Sequence, residues 1–182
     1  MSELLEALYR GEGDRVAELL AAGGELDVFE SAAVGQTERL QTLLDNEPDL
    51  AAAWADEGFT PLHLAAFFRH PDAARLLVER GARIDVVARN EEIAVTPLQS
   101  AVTAQEEETA ALLLERGADP NYRHGGGFTP LQTAAHHGNE ALVELLLAHG
   151  ADRTLADDAG RTPAAYARAT GHEALARRLE AD

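Results

Sequence analysis

The side chains of this 182-residue chain that could carry chemistry are seven histidines, 32 carboxylates and a few hydroxyls. There is no cysteine, and all 15 basic residues are arginine. Thiolate nucleophiles, disulfides, cysteine metal sites, Schiff-base lysines and phosphate-loop lysines are therefore excluded. Three histidines gather in one stretch, His124, His136 and His137. Two ligands on one helix face need a spacing such as i, i+4, and the adjacent His136 and His137 lack it. These histidines are read as a recognition surface that titrates near neutral pH, not as a metal site. The serines are Ser2, Ser31 and Ser100, and none sits in a nucleophile-elbow motif. Gly125-Gly126-Gly127 runs into Phe128-Thr129-Pro130 with no lysine, so it reads as a flexible turn tip and not a phosphate cradle. The carboxylates are spread along the chain with no pocket implied to shift their acidity. The expectation is no enzyme, no cofactor and no metal.

The elements that must position these groups repeat along the chain. Thr60-Pro61-Leu62-His63-Leu64-Ala65-Ala66 returns as Thr96-Pro97-Leu98-Gln99-Ser100-Ala101-Val102, then at Thr129 and at Thr162, with spacings of 36, 33 and 33 residues. Each threonine can cap a helix start and each proline suits the first helical position. Alanines such as Ala65, Ala66, Ala134 and Ala135 let helices approach closely. A second helix follows with apolar residues at i, i+3, i+4 (Ala73, Leu76, Leu77; Ala110, Leu113, Leu114) and stops near Gly81, Gly117 or Gly150. His70 and His172 fall at starts of second helices, and His149 near an end. Upstream, Val28–Leu44 keeps the phase without Thr-Pro, and Leu4–Leu20 forms a further helix pair with no room for a projecting turn before the next. The longer spacing before Thr96 implies about three extra residues near Val87–Val95.

These blocks resemble the ankyrin repeat, whose period and Thr-Pro-Leu-His-x-Ala signature they match over nearly the whole chain. The resemblance implies an all-α solenoid of stacked helix-turn-helix pairs with projecting β-turn or hairpin loops. About six units are expected in a single domain, 1–182: an N-terminal cap at 2–25, units at 26–58, 59–94, 95–127 and 128–160, and a C-terminal cap at 161–182. With both ends capped, the chain reads as a complete array. His63 is expected to bond a neighbouring turn.

The resemblance also implies a non-catalytic scaffold that binds another protein or peptide on its concave face, formed by turn tips and the positions just after the Ala-Ala pair. In this chain that surface comprises Tyr9, Arg10, Trp54, Asp56, Glu57, Phe59, Phe67, Phe68, Glu91, Glu92, Ile93, Tyr122, Arg123, His124, Phe128, His136 and His137. Aromatics are only 5% of the chain, yet Trp54, Phe59, Phe67 and Phe68 are expected to cluster around the third unit. They read either as binding anchors or as local packing beneath neighbouring turns. Phe67 is the first choice for an anchor. The alternatives are a metal or small-ligand binder around His124, His136 and His137, and a self-associating structural protein.

The formal net charge of -17 repels nucleic-acid phosphates and anionic membranes and would steer in a basic partner. No segment has the length and apolarity of a membrane span, and the N-terminus lacks a signal-peptide pattern. The chain is read as an acidic, cytoplasmic monomer. Its arginine-only, alanine-rich composition points to a bacterial GC-rich genome.

Overall fold

The computed structural model describes residues 1–90 and 93–181, and contains twelve α-helices in that span. They form successive antiparallel-type pairs: α1 (Glu3–Tyr9) with α2 (Gly13–Ala21), α3 (Val28–Ala33) with α4 (Thr37–Asn46), α5 (Pro61–Phe67) with α6 (Pro71–Glu79), α7 (Pro97–Thr103) with α8 (Glu107–Glu115), α9 (Pro130–His137) with α10 (Glu140–Ala148), and α11 (Pro163–Ala169) with α12 (Glu173–Glu180). The first helices pack side by side as one row, α1 to α11. The second helices α4, α6, α8 and α10 form a row behind them.

Local sequence sets these elements. Thr96, Thr129 and Thr162 accept a bond from the backbone N–H three residues on, at 3.3, 3.4 and 3.3 Å. Each is followed by proline at the first helical position. Ala65, Ala66, Ala101, Ala134, Ala135 and Ala167 have no exposed surface, so the helices close on one another through side chains of one carbon. A single apolar cluster runs from Val28 to Leu179 through Leu62, Leu98 and Leu131. No pair could bury these faces alone, so neighbouring pairs share them. The first pair is the least engaged, because α2 contributes no buried residue.

The pairs are joined by turns that project beside the first-helix row. The base of each is closed by a backbone bond, from Ala55 N–H to Phe59 O at 2.9 Å, Ala88 to Val95 at 2.8 Å, His124 to Phe128 at 2.9 Å and Asp157 to Arg161 at 3.0 Å. The second closes across seven residues where the others close across four, which places the three extra residues between Ala88 and Val95. No strand is assigned among the described residues, so these are turns carrying one isolated bridge (His124 with Phe128) and not extended hairpins. Neighbouring tips are stitched together by Arg89 N–H to Gly58 O at 2.8 Å and Asp158 N–H to Gly126 O at 3.0 Å.

The glycine tip is tighter than a merely flexible turn. Gly126 and Gly127 have φ of 77° and 78°, and a Cβ on the buried Gly127 would stand 2.5 Å from Asp158 Oδ1. Here glycine admits the next tip.

His63 and Gln132 tie each pair to the following turn. His63 Nδ1 accepts from Thr60 N–H at 3.2 Å, which leaves Nε2 to donate to Val95 O at 3.1 Å. Gln132 Oε1 accepts from Thr129 N–H at 2.7 Å, and its amide donates to Leu155 O and Arg161 O at 3.2 and 2.8 Å. Gln99 turns the other way, donating to Thr103 Oγ1 and Thr133 Oγ1 at 3.2 and 2.9 Å, and its own Oε1 is buried without a hydrogen bond.

Candidate functional site

Four large hydrophobic side chains are exposed among the described residues, Met1, Tyr9, Phe67 and Ile93. Three of them border one groove of about 220 Å³ beside the first-helix row, whose other walls include Phe59, Val95 and Thr103. Phe67 and Tyr9 are each 39% exposed and Ile93 is 48% exposed. The rings are ordered by one another: Tyr9 lies 6.1 Å from Phe67 and 5.1 Å from Phe68, and Phe67 meets Phe68 edge-on at 5.2 Å. Burial, with Glu57 adding to it, pushes the Tyr9 hydroxyl up to about 12, so it stays a neutral donor. Three carboxylates stand on this side, Glu6, Asp56 and Glu57. Glu6 holds Arg10 at 2.5 Å and Glu57 holds the Met1 ammonium at 3.0 Å.

The four aromatics between Trp54 and Phe68 divide into separate environments. Phe59 and Phe68 pack onto a small cluster of Leu5, Ala33 and Leu64, so Phe68 is largely a packing residue. Trp54 does not join the other three; its ring lies under the Arg89 guanidinium, 4.0 Å away, in a shallow recess with Thr60, Arg83 and Val86. Asp56 is exposed and Glu57 largely covered. Glu91 and Glu92 lie outside the described residues.

A second, smaller recess of about 170 Å³ lies between α9 and α11, lined by Phe128, Gln132, Thr133, His136 and Tyr166. His124 stacks on Phe128 at 5.5 Å, Phe128 meets Tyr166 at 5.6 Å, and His136 meets Tyr166 at 6.2 Å. Behind them Asp157, with only 1% of its side chain exposed, accepts from Tyr166 Oη at 2.6 Å and from Arg161 at 2.8 and 2.9 Å. The Tyr166 hydroxyl bond is the main reason that its carboxyl is held down at about 2. Arg161 in turn lies 4.8 Å from the Tyr166 ring. Arg123 is engaged by Asp158 at 3.0 Å, and Tyr122 is half-buried.

The structure thus brings His124 and His136 to one aromatic cluster, with His137 exposed beside His136 at a ring distance of 5.4 Å. Burial lowers the basicity of His124, and burial with the neighbouring His136 lowers that of His137. Among the described residues no group of three or more histidines, cysteines or carboxylates could hold a metal ion. His70 and His172 rest over Gly35 and Gly138 of preceding pairs, and His149 is exposed with Nδ1 2.9 Å from Leu145 O.

Sequence reasoning missed the residues one turn earlier on the same helices. Leu64 and Ser100 line the first groove, Thr133 and Tyr166 the second recess. Each occupies the fifth position of the Thr-Pro block, three residues before the positions that were singled out, as in Leu64 with Phe67 and Thr133 with His136. Residues at i and i+3 share a helix face, so the signal was present in the spacing.

A family model described as ankyrin repeats (3 copies) matches residues 4–124 and again residues 98–181. No curated protein matches the chain.

Proposed function

The chain belongs to the ankyrin repeat family, and from that premise we propose that it is a non-catalytic module that binds a partner protein or peptide on its concave face, the side carrying the first helices and turn tips. Ankyrin repeats generally mediate protein–protein interaction. The observation that carries the reading is the concentration of exposed apolar surface: Tyr9, Phe67 and Ile93 border a single groove. Among the described residues only Met1 is a further large apolar side chain with comparable exposure. Aromatic side chains that are ordered before binding make effective anchors, because little rotamer freedom is then lost.

The same reading makes the protein a cytoplasmic, bacterial monomer whose partner presents a basic surface and is not nucleic acid. No helix among the described residues is long and apolar enough to cross a membrane.

Affinity capture from lysate of the source cells, with Phe67→Asp as the paired control, tests the reading. Phe67 is the better single change because Phe68 also packs under α1. A partner retained by the native chain and lost with a variant of unchanged melting temperature supports it. A partner held equally by both moves the interface off the groove.

A further inference from the structure

The groove and the recess lie in register on the same row of helices, the first at α5 and α7, the second at α9 and α11. Packed helices stand about 8–10 Å apart, so two steps along the row separate the pockets by roughly 16–20 Å. Between them α7 presents Thr103 and Ala104, small side chains that leave the path open. Volumes of about 220 and 170 Å³ suit one bulky side chain each, not a folded surface.

Charge decides the rest. The arginines flanking the two pockets are already engaged: Arg10 by Glu6, Arg89 by the Trp54 ring, Arg123 by Asp158 and Arg161 by Asp157. At the first pocket the carboxylates of Glu6, Asp56 and Glu57 are matched by Arg10, Arg89 and the Met1 ammonium, so the acidic excess is that of the whole chain, which carries -17. An anionic occupant would meet the repulsion of that net charge, and three of the four flanking guanidinium groups are already held by carboxylates.

We propose that the partner is an extended, cationic segment bearing two bulky apolar side chains about six residues apart, one in each pocket, since an extended chain returns to the same face at every second residue. An extended chain advances about 3.3 Å per residue, which sets that spacing. The proposal rests on the concave-face reading and adds to it the partner's conformation, charge and anchor pattern. Linking two weak anchors on one chain raises affinity well beyond either alone.

The test is selection from a phage-displayed library of random 16-residue peptides on the full chain. Enriched peptides are then remade and titrated by fluorescence anisotropy against the native chain, Phe67→Asp and His136→Asp. Phe67 and His136 are both exposed, so each variant should keep the native melting temperature, which is checked. The expected consensus has two bulky apolar residues separated by about five others in a lysine- or arginine-rich background. Each variant should weaken binding at least tenfold, and a peptide with one anchor replaced by serine should lose as much. Acidic consensus sequences, no enrichment, or binding indifferent to anchor spacing would overturn the proposal. If peptides respond to Phe67→Asp but not to His136→Asp, the two-pocket segment is refuted while the concave-face reading stands. A concentration-dependent dimer in sedimentation velocity, abolished by Phe67→Asp, would assign the groove to a second copy and also refute it.

Discussion

The Tyr9 and Phe67 rings lie 6.1 Å apart although their helices belong to the first and third pairs. The intervening helix α3 ends at Ala33, fully buried and one carbon long, so the two rings close over it. Phe68, next in sequence, turns inward onto Leu5, Ala33 and Leu64. Adjacent phenylalanines thus differ in what they hold together. Phe67→Ala is expected to cost under 1 kcal/mol of folding stability and Phe68→Ala about 2 kcal/mol, since only the second opens a gap beneath packed neighbours. Urea unfolding of the two variants checks this, and equal losses would place Phe67 in the core.

His63 gives the fold an acid-sensitive joint. Burial holds its imidazole down at about 4, while an unfolded chain titrates it near the ordinary 6.5. The neutral ring is needed because Nδ1 accepts from Thr60 N–H while Nε2 donates to Val95 O. Above the unfolded value both states are neutral and nothing is lost. As pH falls from 6.5 to 4 the unfolded state gains a proton that the folded state refuses, so stability drops by about 3 kcal/mol at most. Glutamine fills the same position at Gln132 and makes both kinds of bond. His63→Gln should therefore retain the fold at pH 7 and flatten the urea-midpoint profile between pH 6.5 and 4. An unchanged slope would show that another group governs that window.

Asp157 acts in the same sense at lower pH. Its folded value of about 2, set chiefly by the Tyr166 hydroxyl and then by Arg161, lies below that of an unfolded aspartate. Its contribution is full above about pH 4 and vanishes as pH falls through 2. Tyr166→Phe should raise the Asp157 midpoint toward the ordinary range in a carboxyl-carbon NMR titration. The fall in the unfolding midpoint between about pH 4 and 2 should then become smaller, because the folded and unfolded values draw together. A midpoint that stays put would give Arg161 the larger share.

How far the sequence reveals this molecule follows from which interactions are local. Thr-Pro blocks specify helix starts within three residues, and the alanines at 65, 66, 134 and 135 specify close packing, so the repeat was legible throughout. The extra residues of one turn were legible too, because they lengthen a period. The site was only partly so. Tyr9 meets Phe67 across a whole helix pair, and Trp54 leaves its neighbours for Arg89, through contacts between residues 35 to 58 positions apart. Nothing local signals them. Tyr166 was overlooked although its place in the Thr-Pro block matches Leu64, Ser100 and Thr133, and its bond to the buried Asp157 is a contact that no local pattern announces.

The turn between the two helices of a pair contains a residue of positive φ, and here neighbouring pairs use different residues. Gly138 has φ of 67° between α9 and α10, whereas Gln105 has φ of 56° between α7 and α8. A residue with a Cβ costs about 1–2 kcal/mol in that conformation, partly offset by the flexibility glycine brings to the unfolded chain. Gln105 is exposed and makes no side-chain hydrogen bond, so Gln105→Gly should be neutral or stabilise by up to about 1 kcal/mol. Gly138→Ala faces the same backbone cost, and its Cβ would also overlap the His172 ring at the start of α12. It should destabilise by more than about 1 kcal/mol, and a second change, His172→Ala, should recover part of that loss by clearing the space. Chemical denaturation of the three variants and the double variant decides the matter. A Gly138→Ala cost untouched by His172→Ala would assign the whole effect to the backbone.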